Sequence, residues 1–492
     1  MLRSTCLCQP LLSWDAVTGQ LHREVTIGAL PDTALLDMFA FYMHGADFLE
    51  QWHVLVHVCQ RWRYLVFASP RRLDLRLLCR GTTPVREMLD FWPALRIAIL
   101  SNHAESKSHK YADNITAALE NNDRVWAIHL FDVPTLQLEI FAGVMRKPFP
   151  ELTLLELHAN AKNESTAQAP VLPDSFLNGS APRLHTLSLD FVLFPALPKL
   201  LLTSSNLNCL VLLNIPHSGY ISPEAIVTCL SSLTRLQTLH LGFRSPRSRP
   251  DQTDQTSRRR PLFTRTVLPA LTDIWFLGSS EYLEDFVDRI DAPQLYFVWI
   301  MFFNQLIFNI TQLPRFISRT ENLKALNQVK VDFLSHSARV VLSRPTETVN
   351  CPELTVGISC TVSEWQLSSL AQICSSWPPS PISLLERLDI ILGDQDTRPH
   401  WQNDIENTQW LELLHPFASV KNLYVSEELG LYLVPALQEI TRERVIEVLS
   451  VLQGLFLEGL QSLGPVHDAA EHFVATRRLS GHPVVVHRWE RG

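Results

Sequence analysis

The stretch Leu236-Gln237-Thr238-Leu239-His240-Leu241 sets leucines at positions x, x+3 and x+5. In an extended chain, side chains at x+3 and x+5 share one face and the residue between them points to the other. The same apolar spacing recurs at Val125/Ile128/Leu130, Leu152/Leu155/Leu157, Leu184/Leu187/Leu189, Leu207/Leu210/Leu212, Leu271/Ile274/Phe276 and Leu295/Val298/Ile300. It continues at Leu326/Val329/Val331, Leu385/Leu388/Ile390, Val420/Leu423/Val425 and Leu452/Leu455/Leu457. Successive starts lie 23 to 35 residues apart, except for 385 − 326 = 59, a gap wide enough to hide a degraded unit around Leu354-Thr355-Val356-Gly357-Ile358. Helical apolar periods fall between the triplets, at 112–120, 135–145, 223–233, 282–290, 364–376 and 467–478. One short strand and one helix cannot close a core, but stacked copies make a continuous one.

The L-x-x-L-x-L spacing is that of leucine-rich repeats, so the expected fold is α/β: an irregular strand–helix solenoid, curved into a horseshoe, over residues 81–492. If the second and third anchors enter the core, the residue between them faces the open side. That row is His129, Glu156, Ser188, Val211, His240, Trp275, Trp299, Lys330, Asp389, Tyr424 and Phe456. Large aromatic side chains at exposed positions dominate protein–protein contacts, which makes Trp275, Trp299, Tyr424 and Phe456 the candidate target-binding residues.

Composition narrows the function. With 46% apolar and 19% charged residues in 492, most of the chain is expected to fold. Lys plus Arg number 42 against 50 Asp plus Glu, a formal charge of −8, so no global positive field gathers nucleic acid or anionic lipid. Glycine is scarce at 17, and no phosphate-cradling glycine loop occurs. The most apolar stretch, residues 295–310, is interrupted by Asn304 and Gln305 and falls short of the ~20 residues a membrane helix needs; a buried strand followed by a helix is expected there. Nine cysteines without a C-x-x-C pair read as buried thiols in a reducing, intracellular setting, cytoplasm or nucleus. No catalytic residue and no cofactor is expected. Metal ligands are likewise not assigned: His400 with Asp404 and Glu406 falls short of a convincing set of converging ligands, and nearby Trp401 and Trp410 suggest helix packing. Residues 245–261, without apolar side chains other than proline, read as a disordered loop.

Before residue 80 the pattern changes. Residues 1–28 read as a tail and 29–80 as a helical segment. Leu30-Pro31-Asp32 precedes apolar positions Leu35, Leu36, Phe39 and Tyr42 at helical spacing, and the run from Trp52 to Val66 repeats apolar side chains at 55, 58, 59, 62, 65 and 66. So small a unit cannot bury enough surface alone, so its remaining apolar face should meet another body.

Leu30-Pro31, Leu35-Leu36, Phe39, Leu55, Val58-Cys59, Trp62-Arg63 and Leu65-Val66 resemble an F-box: L-P at the first helix, a hydrophobic pair, and V-C-x-x-W-R in the last. The chain beyond this segment, including Trp92-Pro93-Ala94-Leu95, Pro216-His217-Ser218-Gly219-Tyr220 and Gln409-Trp410-Leu411-Glu412, is similar to a large mushroom-type (basidiomycete) fungal group of F-box proteins with leucine-rich tails. The resemblance implies a short all-α F-box ahead of the solenoid, docked on the Skp-type adaptor of a cullin-RING ubiquitin ligase. Leu30, Pro31, Leu35, Leu36, Phe39, Val58 and Trp62 would make or support that contact. It further implies a substrate receptor, not an enzyme, whose solenoid holds an unknown protein target. A solenoid that binds proteins without directing ubiquitination is the alternative, and an enzyme with an unrecognised site a remoter one.

Overall fold

A computed structural model describes residues 12–15, 20–23, 27–44, 52–101, 110–160, 168–246, 265–305, 308, 310–324, 326–344, 351–360, 362–376, 385–393, 407–439, 448–461 and 463–490. The chain forms two compact units, 1–184 and 185–492. This division falls well past residue 80, where the sequence pattern changes.

In the first unit, β1 (Leu12–Asp15) and β2 (Gln20–Arg23) pair antiparallel inside the stretch expected to be a tail. Helices α1 (Asp32–His44), α2 (Trp52–Val58) and α3 (Gln60–Ala68) come next. The single helical stripe expected over 52–66 is broken at Cys59, which is extended at φ −157° and ψ 171°. Arg63 Nε donates to the Val56 carbonyl (2.9 Å), supplying a partner for a helix-end acceptor that the break leaves behind.

Beyond them lie β3 (Arg76–Arg80), α4 (Val85–Phe91), β4 (Arg96–Ser101), α5 (Tyr111–Leu119), β5 (Val125–Val133), α6 (Thr135–Val144) and β6 (Leu154–Ala159). Strands β3 to β6 pair in chain order, all parallel. β3 and β4 precede the first triplet and bury Leu77, Ile97 and Ile99 completely. The strand pattern therefore begins at Arg76, inside the segment expected to be wholly helical. Trp52 ties the two together: it is fully buried, and its indole N–H donates to the Arg76 carbonyl at 2.8 Å.

In the second unit the strands are β7 (Thr186–Asp190), β8 (Cys209–Ile215), β9 (Thr238–Phe243), β10 (Thr266–Val267), β11 (Asp273–Gly278), β12 (Ile290–Asp291) and β13 (Phe297–Phe303). They continue as β14 (Gln328–Leu334), β15 (Ser337–Ser343), β16 (Glu353–Ser359), β17 (Arg387–Leu392), β18 (Asn422–Val425), β19 (Gly454–Glu458) and β20 (Val485–Trp489). The helices are α7 (Leu197–Thr203), α8 (Pro223–Leu230), α9 (Ser280–Asp288), α10 (Gln312–Arg319), α11 (Ser363–Ser375), α12 (Asn407–Leu414), α13 (Glu427–Gln438) and α14 (Pro465–Leu479). Consecutive helices pack on one another from α7 to α10 and from α11 to α14. Ser222, with Pro223 after it, caps α8 by accepting from the Ala225 N–H at 3.2 Å. In the 295–310 stretch the strand ends at Phe303 and the expected helix starts later, at Gln312.

Every member of the eleven triplets, across both units, is at most 4% exposed. The order of the strands departs from a plain repeat. Within the second unit β7, β8, β9, β11 and β13 are neighbours, then β16, β15, β14, β17, β18, β19 and β20. The unit around Leu354–Ile358 is real: it is β16, paired parallel with β13. But it does not come after β14 in space. β14 turns through Ser335 and His336 into β15, which is antiparallel to both β14 and β16, and β14 instead adjoins β17. β15 alternates strictly between buried and half-buried residues, with Ala338, Val340 and Leu342 inward. That period of two carries no x, x+3, x+5 triplet, so β15 leaves no mark in the repeat pattern.

The rest of the second unit is a mostly parallel, leucine-rich-repeat-like α/β solenoid. Its last helix holds one buried cation: the Arg477 guanidinium donates through Nη2 to the carbonyls of Leu449, Ser450 and Leu452 at 3.1 to 3.4 Å, closing the turn before β19. Burial lowers its pKa from the usual arginine value. The loop at 245–261 lies outside the described residues from 247 onward, as do His400, Trp401, Asp404 and Glu406. Trp410 is buried in α12, edge-on to Phe333 at 5.8 Å.

Candidate functional site

The ladder registers build the open face directly. Ser188, Val211, His240, Trp275 and Trp299 are successive cross-strand partners. Thr355 and Val341 of the inserted strands come next, and after them Lys330, Asp389, Tyr424, Phe456 and His487. The row expected from strand alternation is therefore present in register, with two residues inserted in its middle and one added at its end, although Ser188 and Thr355 within it are buried. In the first unit His129 faces Glu156 in the same manner.

Two aromatic clusters result. The Trp275 and Trp299 rings stack at 4.6 Å with planes 4° apart, and His240 lies 6.0 Å from Trp275. Such a stacked pair contributes about 0.5–1.5 kcal/mol beyond the area it buries. Both indoles remain half-buried. The fit depends on Gly242, where an added Cβ would stand 2.8 Å from the Trp275 ring. In the second cluster Tyr424 and Phe456 stack at 4.2 Å and 11°, and His487 stacks on Phe456 at 4.7 Å. Trp489 meets Tyr424 edge-on at 5.4 Å, and the Arg387 guanidinium lies 4.0 Å above the Tyr424 ring. Gly454 leaves room for Phe456 as Gly242 does for Trp275, since a Cβ there would come within 2.7 Å of the ring.

Between the clusters the face is charged. Asp332 is 1% exposed and accepts from Arg339 Nε (3.1 Å) and Nη2 (2.8 Å), with Lys330 Nζ at 3.6 Å. Arg387 pairs with Asp389 at 2.8 and 3.1 Å, and that contact first of all raises the arginine's pKa. Burial lowers the pKa of His240, with the Asp273 carboxylate opposing it. In the first unit the hydrogen bond from His129 (2.8 Å) lowers the pKa of Glu156.

The helical segment of the first unit forms a second candidate surface. Leu35, Leu36 and Phe39 are buried, Trp62 is half-buried with its ring 4.6 Å from Phe39, and Leu30 is half-buried, while Pro31 and Val58 are exposed. Leu35, Leu36 and Phe39 thus support a surface instead of forming it. Phe41 (84% exposed), Tyr64 (73%) and Val58 (55%) leave a large apolar area in solvent. Arg61 locks the start of α1: it reaches Asp32 Oδ1 at 2.6 Å and the Leu30 carbonyl at 2.6 Å.

Sequence reasoning missed Phe41, Tyr64, Arg387, Arg339, His487 and Trp489. For His487 and Trp489 the signal was present, since Val484-Val485-Val486 announces a strand. For Arg387 it was present too, since Arg387 stands two residues before Asp389 and shares its face of the strand; for Arg339 none was, because its contact with Asp332 is set by a neighbouring strand.

The described residues contain no group of three or more metal-ligating side chains, and none of their helices is long and apolar enough to cross a membrane. No family model matches the chain, and no curated protein does. Among solved structures it is similar to the leucine-rich repeat-containing protein LegL7 from Legionella pneumophila, at 13% identity and a TM-score of 0.26, over 84% of this chain and 99% of that one.

Proposed function

We propose that the chain is a protein-recruiting subunit: the helices around α1–α3 dock on the Skp-type adaptor of a cullin-RING ubiquitin ligase, and the open face of the solenoid holds a protein target. What supports this most is the pairing of a buried framework at Leu35, Leu36 and Phe39 with exposed Pro31, Phe41, Val58 and Tyr64 on a small helical segment. Apolar area of that kind, left in water on a small module, is what a partner surface removes. Rate enhancement would then come from proximity, by raising the local concentration of target beside the transfer machinery. The alternative, a solenoid that binds proteins without directing ubiquitination, needs only the aromatic open face.

Co-purification of the full chain with a Skp-type adaptor separates the two. Val58→Asp with Trp62→Ala places a charge and a gap on or beside the exposed surface and is expected to weaken the complex by roughly tenfold or more. Unchanged adaptor binding by that variant, with its thermal transition intact, would overturn the docking assignment.

A further inference from the structure

The two aromatic clusters are held apart by the inserted strands. From Trp299 on β13 to Tyr424 on β18 the sheet order runs through β16, β15, β14 and β17. Five strand spacings make about 24 Å, which an extended peptide at ~3.3 Å per residue crosses in about seven residues.

Along that path three cations meet three carboxylates, and the cations are the more exposed of the paired groups. The side chains of Lys330, Arg339 and Arg387 are 41%, 34% and 38% exposed, whereas Asp332 and Asp389 are 1% and 22% exposed. Lys330 and Arg339 share the one buried carboxylate of Asp332, so their positive tips are the part that meets a ligand. A third carboxylate, Glu353, sits off the central row beside Phe297 and accepts from the Thr355 hydroxyl at 3.0 Å. The formal charges cancel, 3 − 3 = 0, but Lys330 and Arg339 together face one buried carboxylate and so leave a local positive excess at their tips.

We infer that the open face takes an extended peptide segment of the target with an apolar side chain at each end, about seven residues apart, and a carboxylate-bearing stretch between them. One apolar end packs on Trp275/Trp299 and the other on Tyr424/Phe456, while Asp or Glu residues meet Lys330 and Arg339. The assignment rests on the open face being the target-binding surface.

The test is selection of random peptides about twelve residues long, enough to span ~24 Å in extended form, on the immobilised full chain. Binders are expected to carry two apolar positions flanking Asp or Glu. Affinity, read by fluorescence anisotropy, is expected to fall with added salt and to drop roughly tenfold in Lys330→Gln. Selected peptides that are basic in the middle, or that bind equally well at high salt and to Lys330→Gln, would overturn this assignment. If they still lose affinity in Trp275→Ala/Trp299→Ala and in Tyr424→Ala/Phe456→Ala, the open face remains a binding surface of different preference. Indifference to all four aromatic substitutions would overturn the open-face assignment itself. The salt series uses the unaltered protein, so the outcome does not depend on any variant folding.

Discussion

Gly242 shows how one residue's size governs the surface. Because the Trp275 ring occupies the space a Cβ would need, Gly242→Ala forces the indole to shift and disturbs its stack on Trp299. Gly143, with nothing within 4 Å of an added Cβ, is the control: Gly143→Ala in α6 is expected to stabilise by about 0.5–1 kcal/mol through backbone entropy. Near-ultraviolet circular dichroism and urea unfolding check both, the first variant altering the tryptophan signal and the second only the midpoint. The cysteines make a pH-dependent case. Burial pushes the thiols of Cys79 and Cys374 up to about 12, the Arg124 charge opposing it slightly at Cys79. A thiol ionises in the unfolded chain near pH ~8.5 but not in the folded one, so its stabilising effect is complete below that pH and is lost as pH rises towards about 12. The urea midpoint is expected to fall between about pH 8 and 10, less steeply in Cys79→Ala/Cys374→Ala.

At the level of elements, the β14–β15 hairpin does what no repeat does. It inserts an antiparallel strand, places β16 beside β13, and sends Arg339 across to Asp332 on the paired strand. Removing that guanidinium leaves a carboxylate that is 1% exposed with Lys330 at 3.6 Å as its remaining cation. Arg339→Ala is therefore expected to cost about 3 kcal/mol, measured by urea unfolding, with Asp332→Asn in the same background recovering part of it. The α2–α3 junction is the other element-level departure. An unbroken helix over 52–66 would keep Val58 on one stripe with Leu55, Trp62 and Leu65, whereas extended backbone at Cys59 separates Val58 in α2 from Trp62 and Leu65 in α3, and Val58 is exposed.

Across the whole molecule, stability in a stacked array is set by each unit's neighbours, and a terminal strand has one side uncovered. β20 has mostly exposed or half-buried side chains and pairs only with β19 among the described residues, whereas β9 lies between β8 and β11. Amide hydrogen exchange is expected to run at least tenfold faster in Val485–Trp489 than in Thr238–Phe243, since sub-global opening starts where burial is least; equal protection would mean that β20 is covered. The amino-acid sequence by itself determined the repeat step, the buried anchors of all eleven triplets, six of the fourteen described helices to within three residues, and the central row of the open face. These arise from periodicities of 2 and 3.6, which are properties of local backbone geometry. Only the tertiary structure decided that β16 crosses in front of β14, that Thr355 and Val341 separate Trp299 from Lys330, and that Leu35, Leu36 and Phe39 are buried while Phe41, Val58 and Tyr64 are exposed. Which strand pairs with which is settled by contacts between residues distant in the chain, where the gain from backbone pairing outweighs the entropy of closing the loop, and no local pattern records that balance.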